Sequence, residues 1–105
     1  MFYVGLDAHF RQSTFCVLDA RGRKILTRIV KGPWSDVVKE LAKIRGRFAI
    51  CFEASTGHGC LYEQLQSVAR QVVVAHPGQP RLIFRSTRKN DRVDAEKLAK
   101  LLFLG

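Results

Sequence analysis

At 105 residues and 47% hydrophobic content, the chain is long enough for one domain with a modest core, too short for two, and too apolar to stay disordered. Eighteen Lys and Arg against nine Asp and Glu leave a net charge of +9, which points to a polyanionic partner. No apolar run is long enough to span a bilayer and the N-terminus lacks the charged start and cleavage site of a secretory leader, so a cytoplasmic protein with no membrane partner is expected.

Phe2 to Asp7 alternates as a strand, with Phe2, Val4 and Leu6 on one face and Tyr3, Gly5 and Asp7 on the other. Gln12 to Leu18 reads as a second strand and Ile25 to Val30 as a third, joined by the turn Asp19-Ala20-Arg21-Gly22. The short Ala8–Arg11 link makes the first pair antiparallel too, so three strands open the chain as a meander. Cys16 in the second strand and Cys51 further on lie inside apolar runs. With Cys60 they form no C-x-x-C pair, and they are expected to be reduced residues rather than zinc ligands.

Gly32-Pro33-Trp34-Ser35 breaks the alternation, and Val37, Val38, Leu41 and Ile44 then recur at helical spacing up to Arg45-Gly46. Phe48 to Glu53 is the next strand; reached through a helix, it should run parallel to the first. Its bulky face is Phe48, Ile50 and Phe52, and its small face Ala49, Cys51 and Glu53. Ser55-Thr56-Gly57 caps a helix carrying Leu61, Leu65 and Val68. Gln71 to Ala75 is a short fifth strand, apolar throughout, the pattern of an interior parallel strand. A loop, His76-Pro77-Gly78-Gln79-Pro80, leads to the last helical stretch. There Asp94, Leu98, Leu101 and Leu102 fall at i, i+4, i+7 and i+8, and Asp91 three residues earlier extends the stripe.

The order β-β-β-α-β-α-β-loop-α is that of the ribonuclease H-like fold: an α/β, mixed five-stranded sheet with helices on its faces. Asp7 and Glu53 then emerge at the carboxyl ends of neighbouring parallel strands, where open α/β sheets place their ligand sites. Gly5, Ala49 and Cys51 beside them leave room for a covering helix, and the helix bearing Asp91 and Asp94 is the natural cover. Taken alone, Asp91 and Asp94 read more readily as acids that cap their helix; the rest of the chain reverses that preference. Four converging carboxylates repel one another unless divalent cations lie among them. An oxygen-only donor set suits Mg²⁺ or Mn²⁺, and two such ions about 3.5–4 Å apart can drive phosphoryl transfer.

Taken together, Gly5-Leu6-Asp7-Ala8-His9, Glu53-Ala54-Ser55-Thr56-Gly57 and Lys89-Asn90-Asp91-Arg92-Val93-Asp94-Ala95 resemble the DEDD-type insertion-sequence transposases, among them the Piv DNA invertase. The N-terminal domain of that family is RuvC-like, and the resemblance spans essentially residues 1–105. It implies that Asp7, Glu53, Asp91 and Asp94 are the catalytic and metal-holding acids of a DNA recombinase. It also implies a downstream domain with a catalytic serine, homo-oligomers of the full-length protein and, in some members, a structured guide RNA. No residue here stands for that serine, so the fragment alone is not expected to transpose. Phe10 departs from the family, whose members often carry a basic residue there; Arg11 follows it.

Arg81, Arg85, Arg88 and Arg92 fall at i, i+4, i+7 and i+11 with Lys89 beside them, a basic stripe suited either to phosphate contacts or to plain solvation. His9 reads as a turn residue held by a structural hydrogen bond, with substrate contact the alternative. Ser55 and His58 read as capping residues, Trp34 and Tyr62 as packing residues, and His76 is given no role. Two other functions compete with the recombinase: a stand-alone RuvC-like junction nuclease, and a nucleic-acid-binding module with vestigial acids. An actin-type ATPase shares the fold but needs a glycine-rich phosphate hairpin after the first strand, which is absent.

Overall fold

In the computed structural model, which describes residues 1–54, 58–75 and 95–105, β1 (Phe2–Asp7) is the middle strand of a five-stranded sheet. It pairs antiparallel with β2 (Gln12–Leu18), which pairs antiparallel with β3 (Lys24–Lys31). On its other side β1 pairs in parallel with β4 (Phe48–Glu53), which pairs in parallel with β5 (Gln71–Ala75). The spatial order is β3-β2-β1-β4-β5. The α/β, ribonuclease H-like sheet expected from the sequence is therefore present. The meander turn closes as expected: Gly22 N–H donates to the Asp19 carbonyl at 2.9 Å, with Gly22 at φ +84°. Asp19 Oδ1 accepts from Arg21 and Arg23 N–H at 2.8 and 2.9 Å. Those two backbone donors hold the Asp19 carboxyl below its usual range.

Each face of the sheet has its own cover. Val4, Leu6, Phe15, Val17, Phe48, Ile50 and Phe52 form the main core with Val37 and Leu41 of α1 (Trp34–Leu41) and Leu61 and Leu65 of α2 (His58–Gln66). The opposite face carries α3 (Ala95–Leu104), whose Ala95 and Ala99 pack with Cys16 and Leu18 while Leu98 packs with Cys51 and Ala75. Burying a Leu, Ile, Val or Phe contributes about 1.5–3 kcal/mol each, so the larger cluster on the α1–α2 side supplies most of the apolar stabilisation. No helix among the described residues is long and apolar enough to cross a membrane.

Four expectations change in detail. β3 reaches Lys24 and Lys31, one residue beyond the apolar run at each end, because backbone pairing to Leu18 and Gln12 continues there. α1 stops at Leu41; Lys43 and Ile44 N–H instead bond to the Glu40 and Leu41 carbonyls in a tighter turn that still brings Ile44 onto the core. α2 ends at Gln66, and Val68 packs from the turn behind it. Finally, β5 is an outer strand among the described residues, not an interior one. Its apolar run follows from cover on both faces: Val72 and Val74 lie against the main core, Val73 and Ala75 against the α3 side.

Candidate nucleic-acid and metal site

Sheet register fixes the relation between Asp7 and Glu53. Leu6 pairs with Phe52 in the parallel β1–β4 ladder, so the next residues, Asp7 and Glu53, stand level at the carboxyl ends of strands about 4.8 Å apart. Asp7 also lies opposite Thr14 of β2, and Glu53 opposite Ala75 of β5. Strand alternation turns both acids to the face that α3 covers. Both residues are partly buried; the Asp7 side chain keeps 28% of its exposure. The thiol of Cys51, two residues before Glu53 on that face, is pushed up to about 11 by burial and then by the Glu53 charge.

α3 reaches this end of the sheet through Gly5. A Cβ on Gly5 would collide with the carbonyl of Ala95 and the amide of Ala99. One turn of helical backbone therefore rests directly on the β1 backbone. Further along, Phe103 meets Tyr3 edge-on, with centroids 5.3 Å apart and planes at 80°. Ala95 and Ala99 against Gly5 and Phe103 against Tyr3 fix the direction: α3 runs antiparallel to β1, its amino end toward Asp7. The buried stripe is Ala95, Leu98 and Ala99, with Leu102 beside them. It is rotated from the expected Asp94–Leu98–Leu101–Leu102 line, and Leu101 is only half-buried. Two alanines take the closest approach because a leucine there would not fit over Gly5.

His9 sits at the same end. Its Nε2 lies 3.0 Å from Asp7 Oδ1, and its ring is exposed. Its carbonyl is held twice, accepting from Ser13 Oγ at 3.2 Å and from Trp34 Nε1–H at 3.0 Å. The expected structural role is thus filled by the main chain, while the side chain is a partner of the acid. Trp34 and Tyr62 pack partly on the core, as expected. Sequence reading missed the partner of Trp34: Phe10, on which it stacks. Twenty-four residues separate the two, and no periodicity links them.

Of the four acids expected to converge, the described residues contain Asp7 and Glu53. Asp91 and Asp94 lie outside them, as do Arg81, Arg85, Arg88, Lys89 and Arg92 of the expected basic stripe, and also Ser55 and His76. Among the described residues no three His, Cys, Asp or Glu side chains are grouped to hold a metal. No disulfide joins Cys16, Cys51 or Cys60. Asp7 and Glu53 offer oxygen donors, the kind that suits a hard divalent cation.

The sequence model of the DEDD, IS110-type family, described as Transposase, matches residues 4–105. No curated protein matches the chain. Among solved structures the chain is similar to ethanolamine utilization protein EutJ from Carboxydothermus hydrogenoformans, with 12% identity and a TM-score of 0.51. The match covers 87% of this chain and 42% of that one, so the chain spans less than half of that protein's length. At that identity the likeness is one of fold.

Proposed function

The chain belongs to the DEDD, IS110-type transposase family, and from that premise we propose that it is the RuvC-like N-terminal domain of a DNA transposase. Asp7, Glu53, Asp91 and Asp94 form its acidic site, which works with Mg²⁺ or Mn²⁺. The observation that carries this reading is the level placement of Asp7 and Glu53 on neighbouring parallel strands, beneath a helix whose amino end points the same way. Asp94 is the residue bonded to Ala95, and Asp91 precedes it by three, so the segment entering α3 carries both remaining acids.

A divalent cation held by these carboxylates would supply activation of the attacking oxygen and stabilisation of the leaving one. The chain's own residues do the rest. Asp7 and Glu53 provide fixed anionic oxygens on a rigid sheet. His9, at 3.0 Å from Oδ1, restrains the Asp7 carboxylate. Gly5 and the buried Cys51 let α3 seal the face beneath the site. Arg81, Arg85, Arg88, Lys89 and Arg92 supply the contacts to DNA phosphates. Strand transfer is completed by a downstream domain that brings a serine, in a homo-oligomer, and a guide RNA is a candidate further partner.

A thermal melt tests the site. A ligand that binds only the folded state stabilises it by about 2.7 kcal/mol at a hundredfold excess over Kd. Mg²⁺ or Mn²⁺ at constant ionic strength should raise the wild-type Tm, and Asp7→Asn and Asp94→Asn should reduce that rise. Without metal, both variants should be as stable as wild type or more so, because one of four mutually repelling charges is gone. Equal metal responses in all three proteins would remove these acids as ligands and leave a nucleic-acid-binding module.

A further inference from the structure

We propose that Phe10, backed by Trp34, is a ledge on which an unpaired nucleobase stacks beside the acidic site. The inference rests on the reading of this domain as DNA-binding and adds to it the state of the DNA strand it prefers.

Phe10 lies in the β1–β2 turn, three residues after Asp7. Its ring stacks on Trp34, with centroids 5.0 Å apart and planes at 22°, yet the residue remains 65% exposed. One face is therefore covered by the indole and the other is open. Single exposed apolar side chains are ordinary; this one is held in place. Trp34 Nε1–H donates to the His9 carbonyl at 3.0 Å, and Gly32 N–H donates to the Arg11 carbonyl at 2.8 Å. Ser13 Oγ accepts from His9 N–H at 3.3 Å and returns a bond to its carbonyl at 3.2 Å. The start of α1 and the turn are thus tied into one rigid shelf at the carboxyl end of the sheet.

Exposed Arg11 adjoins the ledge, and exposed Lys31 pairs in register with Gln12 beyond it. Neither forms an ion pair among the described residues. An aromatic face flanked by free cations suits a base with its phosphates. Stacking of this kind is indifferent to sequence, because every base has a π-face. A fully paired duplex offers no free base face along its length, so the ledge should favour strands that are bulged, frayed or opened.

The test compares a duplex carrying a three-nucleotide bulge with its fully paired counterpart, using wild type, Phe10→Leu and Phe10→Tyr. Because Phe10 is exposed, its replacement leaves the core untouched, and Tyr restores a ring. Wild type should bind the bulged duplex about tenfold more tightly than Phe10→Leu, bind the paired duplex equally, and be matched by Phe10→Tyr. A 5-iodouracil placed in the bulge should photocrosslink to Phe10. If Phe10→Leu binds both duplexes as wild type does, the ledge is overturned and the DNA-binding reading stands. If wild type binds neither duplex, both fall together.

Discussion

Gly5 and Ala99 meet backbone to backbone, with no room between them for a single methyl group. The obstacle is helix main chain, the least yielding kind of neighbour, so Gly5→Ala must push α3 away from β1. Overpacking of this type costs about 1–3 kcal/mol. Urea melts should show that loss, and the displaced helix should expose Cys51. A Gly5→Ala protein with wild-type stability and a protected Cys51 would place the helix elsewhere.

The three thiols should separate by reactivity. Cys60 is exposed, whereas Cys16 and Cys51 are buried. Near pH 8 an aromatic disulfide reagent should modify one thiol per chain at once and the other two only on unfolding. Cys51 adds a pH dependence. Burial raises its folded pKa from 9.0 to about 11, so between those values the unfolded chain loses a proton that the folded chain keeps. Stability therefore falls as pH rises through that window, by at most about 1.4 kcal/mol per pH unit from this group. Cys51→Ala should flatten the decline in urea midpoint between pH 9 and 11.

Glu96 links α3 to the meander. Its carboxylate lies 3.1 Å from Lys100 Nζ and 3.4 Å from Lys24 Nζ of β3, and Lys100, then Lys24, hold it below its ordinary pKa of 4.5. A depressed folded pKa gives a contribution that is present above the unfolded value and lost as pH falls through the folded one. Glu96→Gln should thus cost less than about 1 kcal/mol at neutral pH, as expected for a solvent-exposed pair. It should also remove part of the acid sensitivity below pH 4.5. Parallel acid denaturation curves for the two proteins would assign that sensitivity to other groups.

The basic stripe predicts a salt dependence. Replacing Arg81, Arg85, Arg88, Lys89 or Arg92 with alanine should weaken DNA binding. Each lost phosphate contact should reduce the slope of log affinity against log salt by about one. An unchanged slope after several replacements would move the phosphate track to another surface.

Strand alternation made most of this sheet legible. β1, β2, β4 and β5 begin and end where their side-chain patterns do, because each buries apolar residues on both faces. β3 is less apolar, and Lys24 and Lys31 belong to it through main-chain bonds that hydropathy does not register. β5 misled for the converse reason: an apolar run reports cover on two faces, not a neighbour on each side. On α3 the leucines drew attention to the Asp94–Leu102 line, but distance of approach, not hydrophobicity, chose Ala95 and Ala99. Asp7 and Glu53 were legible as a level pair because register follows from strand ends. The Phe10–Trp34 contact was not legible, since it joins the β1–β2 turn to the first residue of α1 and no period links the two.

The packing of α3 on β1 also governs when the fold can be completed. Residues 95–104 cover strands formed by residues 2–7 and 12–18, so the contact spans nearly the whole sequence, and closures of that length are slow to form. During synthesis the sheet and its first two helices can assemble while Tyr3, Gly5, Cys16 and Leu18 still lack their cover. A ribosome that pauses before residue 104 has emerged holds a half-covered sheet, the kind of intermediate that invites aggregation or a chaperone. The sheet face beneath Asp7 and Glu53 can therefore be covered only once residues 95–104 have been made.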